Sequence, residues 1–416
     1  MDRKNLFLGV GCIAAAMFIF AVSKPNAPAP DATQAKPAAT LAATSVVSAP
    51  TLSNVSASAQ SIADAKKTVI DNGYLKVTFT SRGGAIEKAE LLKQPADLSK
   101  KENILFNVGN EDSAMTLGVT NRVTNRVEPI YSEFKLVSSS ATSVVYQGKL
   151  EDGTRVTRTY TLPVANQEGV EPYSIRFQTK VEASGAIPTR VWHSTGTWHH
   201  TQGDVAYQFM SVLADNGEDL THVGTDVFRD SSGFLGLGAH RAVLEQPALA
   251  AGKPFNWVSS GNQFFASIIR VEPNFRGNRS ELVARPVKFD NQEVGIQAFA
   301  YWEGVPAADL SVTTEGDFFV GPKEYARLAA LPDEQVSVLQ FSEILGFISF
   351  SAICKLLLAC LGGIHSMLTW TGGWSWGWAI VLLTVIIKII TWPLTAAQQR
   401  TAQKMMQFKG PMEEIR

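Results

Sequence analysis

Cysteine is scarce: the 416 residues hold three, Cys12, Cys354 and Cys360, all in apolar segments. The long stretch between Cys12 and Cys354 can therefore form no internal disulfide, and an exported domain of that size has core enough to do without one. No CxxC or Cys/His spacing suggests zinc. An excess of either charge is missing too. The 37 Lys and Arg meet 38 Asp and Glu, for a net charge of −1. That balance excludes a basic nucleic-acid binder and an acidic-tail protein. Charge is also thin, at 18% of residues, against about 25% in an ordinary soluble domain. The deficit gathers near the N-terminus and in the C-terminal stretch, and the segment between them has ordinary soluble composition.

What is present at the N-terminus is an apolar run from Leu6 to Val22, led by Arg3 and Lys4. It is just long enough to span a bilayer, and the basic lead keeps its start in the cytoplasm. Lys24 and Pro25 follow it in place of the small residues a cleavage site needs, so residues 1–23 read as an uncleaved anchor. Too few apolar residues precede Cys12 for a lipidation signal. Residues 24–67 are rich in Ala, Pro, Ser and Thr and nearly free of aromatics, which predicts a disordered tether.

From 68 to 335 the signals are those of strands. Leu75, Val77 and Phe79 alternate with Lys76, Thr78 and Thr80 and stop at Arg82-Gly83-Gly84, which predicts a half-buried strand and a turn. Val144–Tyr146 and Val156–Tyr160 flank Asp152-Gly153 as a hairpin. Ile175, Phe177 and Val181 share a strand face, and Phe264–Ile269 and Val294–Trp302 read as core strands. Helical periodicity first enters at Pro322–Leu331, with Pro early in the helix. Many short strands with Gly- and Asp-containing turns predict an all-β sandwich of antiparallel sheets. Trp192-His193, Trp198-His199-His200 and Asp204 are its best candidates for chemistry. His199 and His200 are neighbours, so on a strand they face opposite ways and only one can join His193. The expectation is no metal and no catalytic role.

Two apolar segments close the chain. The first, 342–370, contains Glu343, Lys355 and His365 and reads as an amphipathic helix on the outer face of the membrane. Ile344–Leu361 is also long enough to span. If both segments spanned, Arg400, Lys404 and Lys409 would lie on the exported side, against the positive-inside rule. The second segment, 374–393, is a transmembrane helix with Trp374, Trp376 and Trp378 at its outer end and Trp392 at its inner end. Lys388 is its single charge, about 21 Å inward of Trp374 at 1.5 Å per residue. A lysine at that depth can snorkel to the inner interface. Against that reading, Thr384, Lys388, Thr391 and Thr395 fall at i, i+4, i+7 and i+11, on one narrow face. A lysine facing a water-filled cavity would have such companions. Pro393 is expected to bend or end the helix, and 394–416 reads as the start of a cytoplasmic helical region.

Trp376-Gly377-Trp378, the apolar run ending in Lys388, and Trp392-Pro393-Leu394-Thr395-Ala396-Ala397-Gln398 resemble the YidC-type membrane protein insertases. The order of parts is similar to that family's Gram-negative form, and Thr80–Gly84 and Phe319–Pro322 resemble family positions in the domain. The resemblance implies a periplasmic β-supersandwich of mutarotase-like fold without catalysis. It also implies a hydrophilic groove, open to cytoplasm and lipid and closed toward the periplasm, along which a nascent helix enters the bilayer. Lys388 would be the groove's positive charge, with Thr384 and Thr391 lining it. The implied partners are nascent membrane proteins, the Sec translocon, the ribosome and the lipid bilayer. No cofactor, no enzyme activity and no specific nucleic acid are expected, and the location is the bacterial inner membrane, multi-pass. Two departures stand out. The family commonly has Arg where this chain has Lys388, and the family core has five transmembrane helices where only the first is present, so the sequence reads as part of a longer protein. A competing reading is a membrane-anchored periplasmic β-sandwich that acts on or binds carbohydrate, with His193 or His199 as acid/base. Another is a doubly anchored scaffold.

Overall fold

A computed structural model describes residues 65–96, 102–121, 124–164, 169–182, 190–199, 210–230, 240–243, 245, 249–250, 253–289, 294–307, 309–340, 351–370 and 376–414. The expected anchor, most of the expected tether, His200, Asp204, residues 342–350 and Trp374 lie outside them. The chain divides into two compact units, one holding the β domain and the other the C-terminal helices.

The β domain opens with a four-stranded meander, β1 (Lys67–Asp71), β2 (Leu75–Thr80), β3 (Ala85–Pro95) and β4 (Asn103–Phe106). Lys67, the last residue of the expected tether, already pairs with Thr80. The chain continues through β5 (Leu117–Thr120), β6 (Val127–Pro129), β7 (Lys135–Ser139), β8 (Ser143–Lys149), β9 (Arg155–Thr161), β10 (Ser174–Glu182) and β11 (Val191–Ser194). Then follow β12 (Ser211–Asp215), β13 (Leu220–Gly224), β14 (Leu249–Ala250), β15 (Trp257–Gly261), β16 (Phe265–Val271), β17 (Ser280–Lys288), β18 (Val294–Trp302) and β19 (Ser311–Pro322). A nine-stranded sheet runs in the order β13-β12-β15-β16-β19-β10-β9-β8-β7, and a six-stranded sheet in the order β14-β17-β18-β11-β5-β6. The long ladders β10–β19 and β17–β18 are antiparallel.

The predicted alternations place the core. In β10 the inward set Ile175, Phe177, Thr179 and Val181 is buried, as period-two patterning requires. Phe177, Ile268 and Phe318 of the large sheet join Leu282, Ile296 and Ala298 of the smaller one in a continuous apolar cluster. The expected outward face of β2 is a correction. Lys76 is exposed, but Thr78 and Thr80 are buried, so this strand is covered on both faces toward its end. The Arg82-Gly83-Gly84 turn forms as expected. Gly84 has φ +58, and a Cβ there would stand 2.9 Å from Cβ of Tyr146, so only glycine fits without strain.

The helix expected from Pro322 starts later. Pro322 ends β19, paired with Phe265, and the ladder runs on through Lys323, whose N–H donates to Phe264 O at 2.7 Å. Glu324 is still extended, and α1 spans only Tyr325–Ala330. A strand end suits proline as well as a helix start does, because the backbone N–H is dispensable at both.

The second unit holds α2 (Ser351–Trp370) and α3 (Trp376–Glu414). Segments Ile353–Trp370 and Trp376–Pro393 are each long and apolar enough to cross a membrane. Pro393 does not end α3, whose backbone stays helical to Glu414. Proline forfeits one bond to the carbonyl four residues back. In an apolar setting, breaking the helix would strand several more backbone groups, so continuing is the cheaper course.

Candidate functional site

Helix α3 carries three members of the expected stripe, and the side chain of the fourth, Thr395, lies outside the described residues. Thr384, Lys388 and Thr391 succeed one another at about 100° per residue and all three are exposed. Their neighbours Ile380, Val381, Val385, Ile389 and Ile390 are exposed as well. The two hydroxyls are occupied locally: Thr384 Oγ1 donates to Ile380 O at 2.8 Å and Thr391 Oγ1 to Ile387 O at 2.8 Å. Such back-bonding satisfies the threonine proton inside an apolar segment and leaves the oxygen lone pairs facing outward. Lys388 lies one turn from each, and it is the only charged side chain between Trp376 and Pro393.

Trp376 opens α3 and stacks face to face on His365 of α2, with ring centroids 3.6 Å apart and planes 6° from parallel. That contact pins the corner between the two helices at the aromatic end of α3. The 39 residues of α3 reach about 58 Å, nearly twice the roughly 30 Å hydrocarbon thickness of a bilayer.

His193 and His199, the described members of the expected histidine cluster, make separate contacts. His193 on β11 is buried, with Nε2 3.3 Å from Thr179 Oγ1. His199 sits elsewhere, stacked on Phe289 with its Nε2 2.7 Å from Val108 O. Burial, aided by the positive charge of Arg158, lowers the His193 pKa to about 3. An imidazole so held is neutral throughout the physiological range and is a poor proton shuttle near pH 7. Among the described residues no group of three or more His, Cys, Asp and Glu side chains is placed to hold a metal.

A protein-family model described as the YidC periplasmic domain matches residues 67–357, well over half of the chain. The chain belongs to the YidC family. A second model, of the 60Kd inner membrane protein, matches residues 367–416 and so takes in all of α3. Among YidC relatives, the membrane protein insertase YidC of Bordetella parapertussis is 25% identical over 85% of this chain and 59% of its own length. The membrane protein insertase YidC of Burkholderia multivorans is 23% identical over 100% of this chain and 73% of its own length. The chain thus spans about three fifths of the YidC relatives it matches first. Of solved structures, YidC from Thermotoga maritima is similar with a TM-score of 0.30 at 15% identity, covering 80% of this chain and 70% of that one. A putative aldose 1-epimerase from Escherichia coli has a TM-score of 0.38 at 12% identity, over 62% of this chain and 99% of its own.

Sequence reasoning passed over one buried group. Arg158 lies in the strand already read from Val156 to Tyr160, and the alternation that turns those two inward turns Arg158 inward with them. A charged residue at a core-facing position was the available signal.

Proposed function

We propose that the chain serves as a membrane protein insertase and chaperone, helping nascent membrane proteins enter, fold and assemble in the bacterial inner membrane. The observation that carries this reading is the polar face of α3, where Lys388 sits between Thr384 and Thr391 in the otherwise apolar stretch Trp376–Pro393. A charge in the hydrocarbon core costs up to about 3 kcal/mol on insertion scales, so such residues face protein or water. A hydrophilic groove open to the cytoplasm, with Lys388 as its positive charge, relieves that cost. It also attracts acidic or polar tails of an incoming chain. The names of the relatives support the same activity, since those proteins are membrane protein insertases.

In this reading residues 374–393 cross the membrane, 394–416 begin a cytoplasmic helical region, and 342–370 lie along the outer surface. The anchor 1–23 and tether 24–67 hold the domain 68–335 in the periplasm, and the protein is multi-pass. Its partners are nascent membrane proteins and lipid, together with the Sec translocon and the ribosome, and it uses no cofactor. Insertion into vesicles carrying the protein tests the assignment. Lys388→Ala is expected to reduce insertion of substrates with acidic tails severalfold and to spare neutral ones, whereas Lys388→Arg retains both. Equal insertion by the Ala variant would remove Lys388 from the mechanism.

A further inference from the structure

The tripeptide Asp-Asn-Gly stands at Asp71-Asn72-Gly73 and again at Asp215-Asn216-Gly217. Each copy turns a hairpin, the first between β1 and β2 and the second between β12 and β13. Asparagine followed by glycine favours such turns, because glycine takes a positive φ without strain. That angle is +81 at Gly73 and +83 at Gly217. The same pair has a chemical side: the glycine nitrogen can attack the asparagine side-chain carbonyl, and no Cβ obstructs it.

Both turns carry the same hydrogen bonds. Gly73 N donates to Asp71 Oδ1 at 2.6 Å, and Gly217 N to Asp215 Oδ1 at 3.0 Å. Tyr74 N and Leu75 N donate to Asn72 Oδ1 at 3.0 and 2.8 Å. Glu218 N and Asp219 N donate to Asn216 Oδ1 at 2.9 and 2.7 Å. A carboxylate is thus placed to take the proton of the attacking N–H, and two donors face the oxygen on which negative charge would develop. Burial raises the Asp215 pKa, which makes its carboxylate the stronger base.

The two copies differ at the leaving group. Asn72 is buried, and its Nδ2 donates to Pro172 O at 2.9 Å and to Pro163 O at 3.2 Å. Loss of that nitrogen would break both bonds and leave two carbonyls unpaired. Asn216 Nδ2 has no hydrogen-bond partner among the described residues. Asn216 is half-buried and Gly217, Glu218 and Asp219 are exposed, so water reaches this turn. It also lies at the margin of the nine-stranded sheet, where β13 is the edge strand.

We infer that Asn216 is a self-modifying site, which loses its side-chain amide through a succinimide formed with Gly217, while the fold protects Asn72 in the same tripeptide. Gly217 N bonds to Asn216 Cγ and gives its proton to Asp215. The Cγ–Nδ2 bond breaks, and Nδ2 leaves as ammonia with that proton. Water then opens the ring at either carbonyl, yielding aspartate or isoaspartate. Both products add a negative charge to a turn that already carries Asp215, Glu218 and Asp219.

Peptide mass spectrometry of the full chain in detergent, held at neutral pH for several weeks, tests the site. Conversion at Asn216 is expected to run at least about tenfold faster than at Asn72, the effect of two hydrogen bonds that only Asn72 must break. In urea the two sites should convert at similar rates, since the tripeptide is the same. Asp215→Asn keeps an acceptor for the Gly217 N–H but removes the base, and is expected to slow conversion at Asn216 about tenfold. If that variant does not fold, the comparison of the two sites in the unmodified chain decides. Equal rates at Asn216 and Asn72 in the folded chain, or a difference that persists in urea, would overturn the proposal. A folded Asp215→Asn variant converting as fast as the unmodified chain would overturn the role of Asp215 as the base.

Discussion

His193 shows how one side chain ties packing to solution behaviour. Unfolded, it titrates near 6.5, and folded, its pKa falls to about 3 because the ring is buried and Arg158 is near. Between those values the unfolded chain binds the extra proton. The contribution to stability is therefore complete above pH 6.5 and declines as pH falls toward 3, by up to about 1.4 kcal/mol per pH unit. Glu171 and Asp215, whose carboxyls burial pushes up, act with the opposite sign, so the comparison with a His193 variant is what isolates the histidine. Urea unfolding at pH 7.5 and 5.5 should show the loss in the unmodified chain and a clearly smaller one in His193→Gln. Equal losses would mean that other groups control acid stability. At this scale the sequence was legible wherever spacing alone decides. The places of Thr384, Lys388 and Thr391 on one helical face follow from 3.6 residues per turn. That no carboxylate among the described residues forms an ion pair with the buried Arg158 was not legible, because it depends on which side chains distant strands bring near.

Elements were read well where patterning was strong and poorly where proline was the guide. The strands around Phe79, Tyr160 and Phe177 lie where alternation puts them, and the expected core strand Val294–Trp302 is buried on both faces. Pro322 does not start a helix, and Pro393 does not end one. The first closes a strand and the second sits inside a continuous helix. Proline removes a donor, and whether that matters depends on surroundings a local window does not contain. Helix α2 carries its own reporter of orientation. Cys360 stands at its midpoint and is exposed. If α2 lies along the outer surface, a membrane-impermeant maleimide added from the periplasmic side should modify Cys360, as read by peptide mass. If α2 spans, the thiol sits near the bilayer centre and stays unmodified, and the surface-helix reading fails. The stacked pair His365 and Trp376 bounds the same helix at its far end.

As a whole the molecule is two bodies with different solvents. The β domain has one continuous apolar core of its own, so it should fold without the helices. A fragment of residues 65–340 exported to the periplasm is expected to unfold cooperatively and resist proteolysis. A protease-sensitive fragment lacking a cooperative transition would show that the domain needs the rest of the chain. The all-β class of the first body was legible from strand alternation and turn residues, and the apolar helices of the second from charge depletion. The sheet order was not, since it rests on pairings far apart in sequence.

One of those pairings governs timing. Strand β19 is the last strand of the domain, yet it lies inside the nine-stranded sheet, hydrogen-bonded to β10 on one side and β16 on the other. A chain crossing the membrane from its N-terminus therefore delivers the keystone last. Until Ser311–Pro322 has emerged, β10 and β16 present unpaired edges, and those are the surfaces on which stray strands associate. In a chain exported in that order, the domain completes its own closure only as the C-terminal helices follow.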